Sequence, residues 1–167
     1  MAEGQVAPDV DPDADPENVA RQIVLRKLSA QARTRQELAK ALQVKRVPPE
    51  VADQVLDRFQ EVGLIDDAQF ARDWVESRQG RRSLSRSALR RELSAKGVDR
   101  DEIEAALEPV TSVEELVAAR QLADKKLRSM TQLAPDVRYR RLAGALARRG
   151  FASGVISSVL DDVLHDA

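Results

Sequence analysis

Leu38-Ala39-Lys40-Ala41-Leu42-Gln43-Val44-Lys45-Arg46-Val47 recurs in outline as Leu89-Arg90-Arg91-Glu92-Leu93-Ser94-Ala95-Lys96-Gly97-Val98. It recurs again as Leu142-Ala143-Gly144-Ala145-Leu146-Ala147-Arg148-Arg149-Gly150-Phe151. Each copy has a second leucine four residues after the first, a base seven after it and an apolar residue nine after it. Nine residues further lie Leu56, Leu107 and Leu160. Leucines four apart share one face of a helix, and a base followed by a turn residue suits a helix end. The leading leucines lie 51 and 53 residues apart, a period that signals a repeat architecture.

Working outward, each repeat reads as three helices: 19–30, 35–45 and 49–62; 67–80, 86–96 and 100–109; 113–130, 137–149 and 153–164. Thr34 with Glu37, and Ser112 with Glu115, have the spacing of capping boxes. Asp136, behind Pro135, suits the free N–H groups of the helix beyond it. Gly97 and Gly150 fall where a helix ends on a left-handed residue; the first repeat has Arg46 there, so that end should be weaker or built differently. Phe70, Trp74 and Val75 fit one helical face, and so do Leu116, Ala119, Leu122 and Ala123, followed by Leu127.

Composition agrees with an all-α chain. Aromatics make up 3% of the 167 residues, and residues that lose little rotamer freedom in a helix dominate. A repeat of roughly 45–50 residues is marginal as a private core, so neighbours should bury their leftover apolar faces on one another. The expected fold is an elongated, curved array of three tandem three-helix repeats, spanning 19–65, 66–110 and 111–167. Residues 1–18 carry six acids, no base, and Pro8, Pro12 and Pro16, the composition of a disordered acidic tail.

Several chemistries are excluded at this level. Cysteine is absent and the one histidine is His165, so neither a thiolate nucleophile nor a zinc site is expected. No phosphate-binding glycine loop or nucleophile elbow occurs, and no cofactor or catalytic residue is expected. No apolar run nears the roughly 20 residues of a membrane span. A monomeric, cytoplasmic protein is the expectation.

Binding is the chemistry left. Setting the tail aside, 27 bases face 22 acids, a net of +5. From Arg78 to Lys96 there are seven bases (Arg78, Arg81, Arg82, Arg86, Arg90, Arg91 and Lys96) against Glu92 alone. A second run supplies Lys125, Lys126, Arg138, Arg140, Arg141, Arg148 and Arg149. These are the candidate partner- or phosphate-binding residues. A base at a helix C-terminus is also explained by the helix dipole, worth about 0.3–1 kcal/mol. Arg81 and Arg82, read as a loop between helices, escape that explanation.

The middle repeat is the most specific stretch. Leu64-Ile65-Asp66-Asp67-Ala68-Gln69-Phe70-Ala71-Arg72-Asp73-Trp74-Val75-Glu76-Ser77-Arg78, followed by Leu89 and Glu92-Leu93-Ser94-Ala95-Lys96-Gly97-Val98, resembles the hallmark of the RecX family. The tandem three-helix repeats across 19–164 are similar to that family as well. The resemblance implies a regulator, not an enzyme. Its partner would be the RecA nucleoprotein filament, with single- or double-stranded DNA as a secondary partner. The expected effects are restraint of RecA's ATPase, strand exchange and co-protease activity, and so modulation of recombinational repair and the SOS response. The alternative from the residues themselves is a helix-turn-helix-like DNA-binding module that acts without RecA.

Overall fold

Asp15 opens the first helix by accepting a hydrogen bond from the Glu17 N–H (3.3 Å). Pro16 then occupies the first turn, where its missing N–H costs nothing and its φ is preset for helix. Glu17 adds an ion pair one turn on to Arg21 (2.8 Å). Helix α1 therefore spans Pro16–Ala30, and residues 16–18, expected in the tail, are helical. The computed structural model describes residues 15–165, the Arg81 side chain apart, so the expectation of disorder for residues 1–14 lies outside the described residues.

Eight more helices are present among the described residues: α2 (Arg35–Val44), α3 (Pro49–Glu61), α4 (Asp67–Arg82), α5 (Arg86–Ala95), α6 (Arg100–Leu107), α7 (Ser112–Leu127), α8 (Pro135–Arg148) and α9 (Ser153–His165). They pack as the triplets α1–α3, α4–α6 and α7–α9. The chain divides after Asp66: α1–α3 make one compact unit, and α4–α9, the second and third repeats together, make another.

The periodic leucines are the core of every triplet. Leu42, Leu56, Leu89, Leu93, Leu107, Leu142, Leu146 and Leu160 are wholly buried, and Leu38 nearly so. A fully buried leucine side chain contributes about 1.5–3 kcal/mol. Val47, Val98 and Phe151, nine residues after the first leucine of each repeat, are buried beside them.

The turn that returns those residues to the core is the same three times. The N–H groups of Val47, Val98 and Phe151 reach back to the carbonyls of Leu42, Leu93 and Leu146 (3.1, 3.2 and 3.3 Å). This six-to-one bond closes only if the preceding residue is left-handed. Gly97 and Gly150 adopt φ of 78° and 86° there, and Arg46 adopts 57°. The first repeat thus builds the same cap with a strained residue rather than a different one. Lys45, Lys96 and Arg149 are the C-cap residues just before it.

Some helix ends depart from the sequence expectation. Thr34 and Glu37 do form the reciprocal capping box. At α7 the cap is Thr111, one residue before Ser112, and it accepts from the Glu114 N–H (3.4 Å). Glu115 is released and accepts a hydrogen bond from the Arg86 N–H in the second repeat (2.8 Å). At α8 the cap position is Ala134, with no side-chain bond; Asp136 lies inside the first turn and meets Arg140 (3.4 Å). Helix α4 runs past Gly80 to Arg82 and ends on Ser83, left-handed at φ 48°. On α7, Ala119, Leu122 and Ala123 are buried, while Leu116 is exposed.

A left-handed conformation costs an L-residue about 1–2 kcal/mol, of which glycine's extra chain entropy offsets part. Replacing Arg46 by glycine should therefore raise stability by about 0.5–1 kcal/mol. Gly150→Ala should cost about 2–4 kcal/mol. Its new Cβ would meet Ser85 Oγ at 2.6 Å and Ala88 Cβ at 3.0 Å as well as the adverse φ. Denaturant midpoints at unchanged m-value check both; the reverse ordering contradicts this account of the turn.

Candidate functional site

The bases of the second repeat are largely engaged within the fold. The Arg86 guanidinium donates to the carbonyls of Leu107 (2.6 Å) and Val110 (3.1 Å), and to Glu104 Oε2 (3.2 Å). Arg90 grips the same carboxylate through Nε (2.6 Å) and Nη2 (3.0 Å). The hydrogen bond from Arg90, reinforced by Arg86, holds Glu104 down at about 2, and the same bond raises Arg90. These two arginines tie α5 to α6 and to the start of the chain's path into α7.

A second cluster surrounds Trp74. Its indole N–H donates to Glu92 Oε2 (2.8 Å), and its ring stacks on Phe70 (centroids 5.7 Å apart). The Arg78 guanidinium lies 4.1 Å from the Trp74 ring centre and the Lys96 ammonium 4.5 Å from it. Arg78 Nε is 3.4 Å from Glu92 Oε2, a charge contact without hydrogen-bond geometry. Cation–π pairs of this kind are worth about 0.5–2 kcal/mol. Arg78 and Lys96 thus clamp α4 on α5.

Arg91 is exposed and touches Ser87 at 3.4 Å. Arg81 and Arg82 end α4 rather than occupying a loop, so the helix dipole does account for bases there. The Arg81 side chain lies outside the described residues. Arg82 is exposed, and its carbonyl accepts a hydrogen bond from Arg149 Nη1 (2.7 Å). The Arg149 carbonyl in turn accepts from the Ser85 N–H (3.1 Å), so the end of α8 docks on the start of α5.

The third repeat differs. Arg138 is tied down, donating to the carbonyls of Leu133 (2.9 Å) and Thr131 (2.8 Å). Lys125, Lys126, Arg140, Arg141 and Arg148 are all exposed. Lys126, Arg140, Arg141 and Arg148 ring a groove of about 640 Å³ floored by Met130, Val137, Gly144 and Ala145. A second groove of about 430 Å³ between the end of α4 and α7 is lined by Arg82, Lys125, Lys126 and Arg149, with Ser83 and Ser129. Lys126 belongs to both, and neither lining contains a carboxylate. Such a surface gathers anionic oxygens. Gly144 was not a sequence candidate; its signal is a glycine inside a strongly periodic helix.

Among the described residues, no group of three His, Asp or Glu side chains is placed to hold a metal ion, and no helix is long and apolar enough to cross a membrane.

Comparison with known proteins fits this geometry. Residues 20–59, 66–107 and 113–160 match the family models of the first, second and third three-helix domains of RecX. The chain belongs to the RecX family. The protein named Regulatory protein RecX in Streptomyces coelicolor is 46% identical over 156 residues, covering 93% of this chain and 83% of its own. Its namesake in Thermobifida fusca is 44% identical, covering 87% and 79%. A crystal structure of RecX from Lactobacillus salivarius shares the fold, with a TM-score of 0.77 over 89% of this chain and 96% of its own at 21% identity. These relatives are named as regulatory proteins. The RecX-like hallmark residues Phe70, Trp74, Arg78, Glu92 and Lys96 turn out to make one packed cluster.

Two measurements check the internal role of Arg86 and Arg90. Arg86→Ala should destabilise the fold by about 1.5–3 kcal/mol, the worth of charge-assisted hydrogen bonds. Glu104, ionised in the fold down to about pH 2 but only to about 4.3 in the open chain, stabilises above the ordinary carboxylate range. That contribution should fade as pH falls from about 4.5 toward 2, and Glu104→Gln should flatten the fall. An NMR midpoint for Glu104 near 4.3 would contradict the assignment.

Proposed function

We propose that this chain regulates RecA by binding its nucleoprotein filament and restraining ATPase, strand exchange and co-protease activity. The setting is the cytoplasm, the acting form a monomer, and the outcome a tempered recombinational repair and SOS response. The observation that carries this reading is the pair of acid-free basic grooves on a chain of the RecX family. A filament of protein and nucleic acid offers an extended array of negative charge, and such a surface suits it.

The contact residues in this reading are Lys125, Lys126, Arg140, Arg141 and Arg148, with Arg82 and Arg149 at the edge. Arg86, Arg90 and Arg138 already have internal partners. Bridging successive RecA protomers would oppose the rearrangements that accompany ATP turnover. A DNA-binding module that ignores RecA is the competing reading, because it would use the same grooves.

RecA ATPase on single-stranded DNA separates them. Wild type should inhibit at levels well below those of RecA, and Arg141→Glu with Arg148→Glu should weaken inhibition about tenfold. Arg140→Ala alone should have a smaller effect, because Asp136 already shares its charge. Inhibition that begins only when free DNA is saturated with this chain would favour the DNA module.

A further inference from the structure

We infer that Ser83 is a phosphoacceptor whose phosphate would be held by the cations of the groove between the end of α4 and α7. The inference concerns a covalent modification of the chain itself. Only its regulatory consequence rests on the reading above, so its first two readouts need no RecA.

Three observations converge. First, a serine stands where a glycine would be less strained. Among the described residues five have a left-handed backbone: Gly63, Gly97, Gly150, Arg46 and Ser83. Ser83 takes φ of 48° in the short link from α4 to α5. A side chain kept at such a position points to a use for it.

Second, its hydroxyl is uncommitted, unlike those of the serines around it. Ser85 is buried and caps α5, accepting the Ala88 N–H (3.0 Å). Ser87 accepts from Arg91 (3.4 Å), and Ser129 donates to the Lys126 carbonyl (2.8 Å). Ser83 is half-buried, and its hydroxyl makes no such bond among the described residues. It follows two arginines directly, in the run Gly80-Arg81-Arg82-Ser83-Leu84. Protein kinases with acids beside the substrate cleft select serines of that kind by charge. Gly80, with open space around it, weakens the last turn of α4 and lets the segment yield to an enzyme's cleft.

Third, the product has a receptor already built. The groove that Ser83 helps to line holds Arg82 at the end of α4, Lys125 and Lys126 on α7, and Arg149 at the end of α8, with no carboxylate. A phosphoserine brings about −1.5 to −2 charge and three acceptor oxygens, and it orders a segment placed opposite such a cluster. Arg149 already reaches the Arg82 carbonyl, so the phosphate would brace the joint between the second and third repeats. It would also neutralise cations that the reading above assigns to a partner. In the transfer, Ser83 Oγ attacks the γ-phosphorus of kinase-bound ATP. The Oγ–P bond forms and the bond from that phosphorus to the β–γ bridging oxygen breaks. ADP leaves with the electron pair, and the hydroxyl proton passes to the kinase's catalytic carboxylate.

The test begins with mass spectrometry on two preparations of the full chain. One is isolated from the cells that make it. The other is treated with ATP and the catalytic domain of protein kinase C, which accepts serines beside arginine. One phosphoryl group should map to Ser83, and S83A should take up none. Uptake confined to Ser87 or Ser129, or none in either preparation, would overturn the inference. Phosphorus NMR of the modified chain checks the receptor. The second ionisation of the phosphate should fall about 0.5–1 below its ordinary value of about 6, because the surrounding cations favour the dianion. K125A/K126A should move it back toward the ordinary value, and a midpoint of about 6 with both lysines present would contradict the clamp. RecA ATPase on single-stranded DNA reads the consequence. Phosphorylation should weaken inhibition about tenfold, while the same kinase treatment should leave S83A as it was before treatment. Inhibition unmoved by a phosphate mapped to Ser83 would overturn the regulatory role. An unmodified chain that fails to inhibit RecA would sink the function proposed above, and Ser83 would then be judged by the mass and the titration alone.

Discussion

A left-handed residue at the end of each repeat's second helix governs the path of the chain beyond it. It lets Val47, Val98 or Phe151 turn back onto the leucines they close over, and so sets where the third helix begins. In the third repeat the same turn does more. Gly150 has Ser85, Ala88 and Arg91 pressed against it, so no side chain fits there. The carbonyl before it takes the Ser85 N–H, and Arg149 reaches the Arg82 carbonyl. The cap of one repeat is thus part of the joint to its neighbour, which is why the second and third repeats form one unit.

The arginines of the two repeats divide differently between internal bonds and the surface. Every helix leaves its last carbonyls without an intrahelical partner. Arg86 supplies donors to the carbonyls of Leu107 and Val110, and Arg90 fixes the Glu104 carboxylate that Arg86 also holds. Charge-assisted hydrogen bonds of that kind are worth about 1.5–3 kcal/mol, against about 0–1 for an exposed ion pair. The second repeat therefore commits Arg86 and Arg90 to structure, while Arg82 lines a groove and Arg91 is exposed. The third repeat closes its α7–α8 loop with Arg138 and leaves a set of cations around two grooves.

Much of the fold was legible because helical periodicity is local. Leucines four apart and a base before a turn residue are visible in the chain itself, and all of them landed in the core or at a helix end. The misplacements are instructive. The expected end of the second repeat's first helix, at residue 80, lies inside α4, which runs on to Arg82, and Ser83 makes the left-handed turn. Thr111 and Ser112 offered adjacent hydroxyls, and sequence spacing could not show that Glu115 would be drawn away to Arg86. The candidate site was half legible. The cations were evident, but their partners were not: Glu104 lies 14 and 18 residues from Arg90 and Arg86, a distance that only packing closes.

The division of the arginines is open to direct chemical footprinting. A guanidine-selective reagent, read out by mass spectrometry, would be applied to the free chain and to the chain mixed with RecA filaments on single-stranded DNA. The account predicts that Arg141 and Arg148 react readily when free and are shielded by the filament, while Arg86 reacts slowly in both states. Fast modification of Arg86 in the free chain, with shielding confined to the second repeat, would contradict it.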